Sequence, residues 1–154
     1  MKLKIHKFKK STTKFASKNL FLALALAFTT LFGFAQDKSV TVTVTINNVT
    51  SDKGTVKLGL HTADTFMKGK GLMSAESEIK DGKITVTFEN VKAGDYAIIA
   101  FHDANSNGKM DFRDNGMPLE SYGISNNSMS FGPPNYEDAK FTVYNKDLNL
   151  NIRF

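Results

Sequence analysis

The chain has 154 residues, 20 of them basic and 15 acidic, with no cysteine and no tryptophan. Seven lysines lie within residues 2–18, ahead of the first acidic residue, Asp37. Beyond residue 35 there remain 13 basic against 15 acidic side chains, and the formal charge falls from +5 to about −2. That excludes a phosphate-neutralising basic stripe and with it a nucleic-acid role, while the missing thiols exclude disulfide stapling, thiol redox chemistry and lipid attachment at cysteine.

Residues 1–35 read as a secretory signal peptide. A lysine-rich start is followed by an uncharged apolar run over residues 20–34, and Gly33 and Ala35 stand three and one positions before a cut at Gln36. A run of 15 residues is short for a hydrocarbon core of ~30 Å, so a retained anchor is the lesser reading and no membrane insertion is expected after cleavage. Residues 36–154 are expected to form a single exported domain, periplasmic or secreted, large enough to bury a core without cross-links.

In that domain Val40, Val42, Val44 and Ile46 alternate with Thr41, Thr43 and Thr45, the period-2 pattern of a strand with one buried face. The pattern recurs at Val56, Leu58 and Leu60, at Ile84, Val86 and Phe88, and at Leu148, Leu150, Ile152 and Phe154. Phe141 and Val143 make a shorter strand. The segment from Asp95 to His102 is apolar on both faces and is expected to be covered on both. Ser51-Asp52-Lys53-Gly54, Asp81-Gly82 and Asn145-Lys146-Asp147 suit chain reversal between antiparallel neighbours. The expected fold is all-β, an antiparallel sandwich of about seven strands with immunoglobulin-like layering, and residues 62–80 and 115–139 are long connections where function would sit. The chain ends on an aromatic in an alternating strand, as outer-membrane barrels do, but Thr, Asn, Lys and Arg on one face of nearly every strand do not make a lipid-facing band.

Residues 103–114 read D-A-N-S-N-G-K-M-D-F-R-D, with oxygen-bearing side chains at positions one, three, five, nine and twelve and Gly108 at six. That is the ligand rhythm of a calcium loop. Asp103, Asn105 and Asn107 would offer side-chain oxygens, Lys109 its backbone carbonyl, and Asp111 a carboxylate directly or through water. Asp114 is one methylene shorter than the usual closing Glu, and Glu120, past Pro118, is a second candidate for that place. Because the loop leaves a strand rather than a helix, a static structural ion fits better than a sensor that opens a groove. Calcium is expected over magnesium, which holds to octahedral geometry and keeps its waters. The competing reading is a solvated turn, since Asp, Asn and Gly are common in turns; it accounts for the composition but not for the spacing.

No catalytic constellation stands out. His61 and His102 are too few for a zinc site, and Asp103 beside His102 points to the opposite face of a strand. His61 is expected at a solvated rim and His102 hydrogen-bonded beside the ion loop. Ser125 lacks the second Gly of a nucleophile elbow, Asn126 and Asn127 suit backbone groups of a crowded loop, and Glu137-Asp138 read as solvated charges. Tyr122, Phe131 and Tyr136, with Phe66 and Met67, either pin the long loops to the sandwich or form an exposed platform for a glycan or protein partner.

The segments K-G-T-V-K-L-G-L from Lys53, A-G-D-Y-A-I-I-A-F-H-D from Ala93, N-S-N-G-K-M-D from Asn105, G-M-P-L-E-S-Y-G-I-S-N-N from Gly116 and G-P-P-N-Y-E-D-A-K-F from Gly132 together resemble the bacterial exported family called domain of unknown function 2141. The resemblance implies a secreted or periplasmic β-sandwich similar to transthyretin-like and carboxypeptidase-regulatory domains, and it brings no activity. It also likens the loop to calcium loops of surface-adhesin repeats, where an acidic residue after a Gly-x-Pro-like turn joins the ion, which favours Glu120 here. The expected function is an exported, non-enzymatic binding or scaffolding module with a structural calcium. The alternative is a small periplasmic hydrolase or isomerase using His102 with Asp103 or Glu120.

Overall fold

The Val/Thr alternation of residues 40–46 folds as strand β1 (Val40–Ile46), with Val42, Val44 and Ile46 fully buried and the threonines half-exposed. Seven further strands follow: β2 (Thr55–His61), β3 (Met73–Glu78), β4 (Ile84–Val91), β5 (Gly94–Asp103), β6 (Tyr122–Ile124), β7 (Phe141–Val143) and β8 (Leu148–Ile152). A single helical turn, α1 (Tyr136–Ala139), is capped by Asn135, whose Oδ1 accepts the Asp138 N–H at 2.9 Å. The computed structural model describes residues 39–128 and 132–154, all within one compact unit, Asp37–Phe154. The leader expected at residues 1–35, and Phe131, lie outside the described residues.

The strands form two sheets, β4-β1-β8 and β3-β2-β5-β6, with β7 also paired to β5. Their facing sides enclose a core in which Leu60, Ile98, Val56, Val143, Ile46 and Ile152 have no solvent contact. The fold is the all-β sandwich that the alternation predicts, and three details differ from the expectation. First, β3 and β6 lie in segments read as connections. β3 is M-S-A-E-S-E, without a β-branched residue, and is held by its ladder to β2; β6 has only three residues. Second, β1 pairs with β8 in parallel, Val42 beside Leu148 through Ile46 beside Ile152, so the sheets are not wholly antiparallel. Third, the strands joined by the turns at residues 51–54, 81–82 and 145–147 belong to different sheets, although across Asp81-Gly82 the flanking Lys80 and Lys83 form the expected antiparallel bridge, exchanging two backbone hydrogen bonds of 3.0 Å. Asp52 ties two of them together, its carboxylate accepting the N–H groups of Asp81 (3.1 Å) and Gly82 (2.8 Å).

The outer faces of the two sheets differ. On the β4-β1-β8 sheet the outer face is a polar ladder, with hydroxyl pairs Thr43–Thr87 at 3.1 Å and Thr45–Thr85 at 3.5 Å. On the other sheet one end of the outer face carries a second apolar cluster, in which Phe66 of the 62–72 loop and Ala139 of α1 pack on Ala97 and Ile124. Ser125 locks that end: buried, it accepts the Ile98 N–H at 2.9 Å and donates to the Ala139 carbonyl.

Candidate functional site

β5 ends at Asp103, and there the chain wraps around that residue's carboxylate. Asp103 is fully buried; its Oδ1 accepts the Asn107 N–H at 3.0 Å and its Oδ2 the Gly108 N–H at 2.8 Å. Asn105 and Asn107 each accept the N–H two residues ahead, from Asn107 (3.1 Å) and Lys109 (3.0 Å), and so fold the loop through successive Asx turns. Their amide NH₂ groups both donate to Asp111 Oδ2 at 2.7 Å. Residues 111–119 then form a small hairpin, closed by a Phe112–Pro118 bridge and by Leu119 N–H donating to the Asp111 carbonyl at 2.8 Å. That hairpin returns Glu120 to the start of the loop, where Oε1 accepts the Ala104 N–H (3.1 Å) and Oε2 the Asp111 N–H (3.2 Å).

Of the sequence-predicted ligands, Asp103, Asn105, Asn107 and Asp111 are thus joined in one hydrogen-bonded ring, and Glu120 clasps both ends of it. Lys109 enters the ring through its backbone. Asp114 lies apart, exposed in the turn closed by Arg113 and Met117, with no hydrogen bond to the loop among the described residues. Every side-chain acceptor in the ring is a hard oxygen, and one that accepts a single N–H keeps a second acceptor site, whereas Asp111 Oδ2 already accepts two. Among the described residues no three His, Cys, Asp or Glu side chains form a metal-holding group. A cation here would therefore depend on the Asn105 and Asn107 oxygens and on backbone carbonyls beside Asp103 and Asp111. Such a mixed, carbonyl-rich oxygen set fits calcium better than a transition metal.

Among the described residues neither histidine is hydrogen-bonded to a carboxylate; each meets a backbone carbonyl. His102 is on the core face of β5, its Nε2 2.7 Å from the Lys53 carbonyl, while Asp103 is on the other face. Among the described residues no hydrogen bond joins His102 to Asp103 or Glu120. His61 is not the solvated rim residue expected from its position at a strand end. It is buried under Phe66, whose ring meets it edge-on with centroids 5.9 Å apart, and its Nδ1 is 3.1 Å from the Thr65 carbonyl. Burial holds the His61 imidazolium below the ordinary histidine pKa, partly offset by that carbonyl. Ser125 is structural, and Asn126 and Asn127 serve the backbone: Asn126 donates to the Asp138 and Lys140 carbonyls, and Asn127 bridges Asn151 and Arg153.

A groove of about 1310 Å³ lies on the outer face of the β3-β2-β5-β6 sheet; of the side chains expected either to pin the long loops or to form an exposed platform, Met67 and Tyr122 line it, while Phe66 and Tyr136 pack in the second apolar cluster. Gly59, Ile99, Phe101 and Tyr122 form its floor. One wall is the 67–71 segment. The other consists of residues 108–110, 112 and 116–118, from the far half of the Asp103 loop and its hairpin, and residues 132–134 also line the groove. Lys57, also in the groove, binds Glu76 at 2.7 Å and reaches Asp103 Oδ2 at 3.8 Å, so the floor is in electrostatic contact with the centre of the loop. Lys57 and the Thr55 hydroxyl hold the Glu76 carboxylate below its usual pKa. The sequence signal for the groove was weak: methionines and glycines concentrated in two loops about 40 residues apart.

A family model described as "Uncharacterized protein conserved in bacteria (DUF2141)" matches residues 44–151, which span the sandwich, the loop and the groove. A comparison with curated proteins finds no match. Among solved structures the chain is similar to "Pilus-presented adhesin, Spy0125 (Cpa)", with 15% identity and a TM-score of 0.26, covering 77% of this chain but only 27% of that one.

Proposed function

The chain belongs to this bacterial DUF2141 family, and we propose that it is an exported, non-enzymatic binding module in which a calcium ion held by the 103–111 loop fixes one wall of the groove. One observation carries the reading: the segment that gathers Asp103, Asn105, Asn107 and Asp111 is continuous with the segment that lines the groove, Gly108 to Met110 being common to both. Asp103, Asn105, Asn107, the Lys109 carbonyl and Asp111 would hold the ion. Glu120 would serve as a clasp or a further ligand, and Asp114 would be a spectator. The ion would supply positive charge to Asp103, Asp111 and Glu120, which among the described residues are otherwise met by N–H donors and, at Asp103, by Lys57. Export rests on the lysine-rich, then apolar, leader; among the described residues no helix is long and apolar enough to cross a membrane.

The test is thermal unfolding of the processed protein in chelator and in millimolar calcium. Calcium at 100 times its dissociation constant stabilises by about 2.7 kcal/mol, a rise of roughly 10–15 °C for a domain of this size. Asp111→Asn, which keeps the shape and removes the charge, should abolish most of that rise. An unchanged melting curve in the wild type would end the calcium reading.

A further inference from the structure

We propose that the groove binds a single-chain anionic amphiphile, a long-chain carboxylate, with its tail against the methionines and aromatics and its head at Lys70 or Lys109. This rests on the reading of the same groove as a binding site and names its ligand class. Three observations carry it. The first is apolar exposure: of the six large hydrophobic side chains most exposed among the described residues, five belong to the two walls or adjoin them, namely Met67, Leu72, Phe112, Met117 and Leu119. The outer face of the other sheet is by contrast a Thr ladder. Clustered exposure of this kind marks a ligand surface, and Met67, Met110 and Met117 supply flexible thioethers that mould to an alkyl chain.

The second observation is charge. Four charged side chains line the groove; Lys57 and Glu76 neutralise each other at 2.7 Å, whereas the exposed Lys70 and Lys109 have no side-chain partner among the described residues. Lys70 and Lys109 therefore present two ammonium groups beside the apolar walls, placed to meet the head of an incoming anion whose tail lies in the groove. The third is the scarcity of directional polar groups. His61 Nδ1 is engaged with the Thr65 carbonyl, and among the described residues the uncharged side-chain polar groups left in the groove are His61 Nε2 and the Ser74 and Tyr122 hydroxyls. A glycan would require more, and an alkyl chain requires none.

The experiment titrates dodecanoate, below its micelle concentration, into calcium-loaded protein freed of excess calcium and into protein in chelator, with calorimetric readout. Dodecyl maltoside and butyrate serve as the neutral-headed and tail-less controls. The expected result is saturable one-to-one binding of dodecanoate, at least tenfold weaker for either control. The exposed double variants Lys70→Glu/Lys109→Glu and Met67→Ser/Met117→Ser should each weaken it at least tenfold. Equal binding of the maltoside, a charge-reversed variant that binds like wild type, or a dimer in light scattering that Met67→Ser/Met117→Ser dissociates would overturn the proposal. A calcium-dependent melting rise without dodecanoate binding overturns the amphiphile and leaves the calcium module standing. Dodecanoate binding without any calcium effect supports the amphiphile and removes the calcium.

Discussion

The Lys57 ammonium lies 3.8 Å from Asp103 Oδ2, so a cation on the groove floor shares the carboxylate around which the 103–111 loop is wound. Asp103 is fully buried, and its two oxygens are otherwise met by backbone N–H groups of residues 107 and 108. Lys57 therefore stabilises the loop when no metal is bound, and it opposes any divalent ion that approaches the same oxygen.

The first prediction follows from that opposition. Replacing Lys57 by Met keeps the length and apolar stem and removes the charge, so calcium should bind more tightly. At this separation in a partly solvated setting the repulsion relieved is about 1 kcal/mol, roughly a five-fold gain in affinity. Calorimetric titration of calcium into wild type and Lys57→Met decides it, and an unchanged or weaker affinity would place the ion away from Asp103.

A second prediction concerns pH. His61 is buried beneath Phe66 and its native pKa is lowered, chiefly by desolvation. Unfolded histidine titrates near ~6.5. Below that pH the unfolded chain takes up a proton that the native state resists, so stability is full above it and falls as the pH drops toward the lowered native value. Melting temperatures measured between pH 8 and pH 5 should decline for the wild type, and less steeply for His61→Gln. Parallel slopes would show that another group governs this window.

The parts of the fold that were legible are those where burial follows local period. Val42, Val44, Ile46 and Leu58 alternate with polar residues because one face of each strand meets the core, and nothing distant is needed to see it. β3 and the parallel β1–β8 pair were not legible, since each is decided by a partner elsewhere in the chain: β3 holds its register through Leu60–Met73 and Leu58–Ala75, and β8 reaches β1 from the far end of the sequence. The same distinction applies to the site. The spacing of Asp103, Asn105, Asn107 and Asp111 is local and marked the loop, but the groove exists only because the 67–71 segment faces the 108–118 segment across Gly59. The burial of His61 is of the same kind, because its cover, Phe66, belongs to a loop.

Ser125 yields a third prediction. Its hydroxyl satisfies the Ile98 N–H and the Ala139 carbonyl, both inside the protein. Ser125→Ala leaves the two groups without that partner, and the expected cost is about 1–3 kcal/mol in chemical denaturation. Because the loss falls on the end of the sheet held by Phe66 and α1, the calcium response should be retained. A neutral substitution would mean that water takes the place of the hydroxyl.

The fourth prediction tests how the loop is supported from the opposite strand. Gly54 enters β2 with φ +73°, and a Cβ there would overlap the Asp103 carbonyl oxygen and lie 2.8 Å from Ala104 Cα. Two penalties coincide, a left-handed backbone that alanine disfavours and a collision with backbone rather than with a side chain that could swing away. Relief requires residues 103–104 to shift, and with them the Ala104 N–H that Glu120 accepts. Gly54→Ala should therefore lose about 2 kcal/mol of stability or more. It should also weaken calcium binding, whereas Gly132→Ala, where a Cβ meets nothing within 4 Å among the described residues, should cost only its backbone strain and leave the ion unaffected. Amide exchange resolves the mechanism: in Gly54→Ala the Asn107 and Gly108 amides, which bond to Asp103, should exchange faster, while the Ile98 amide, held by Ser125, should keep its protection relative to global unfolding. Uniform acceleration across all three would reduce the effect to a general loss of stability and remove the coupling between this turn and the loop.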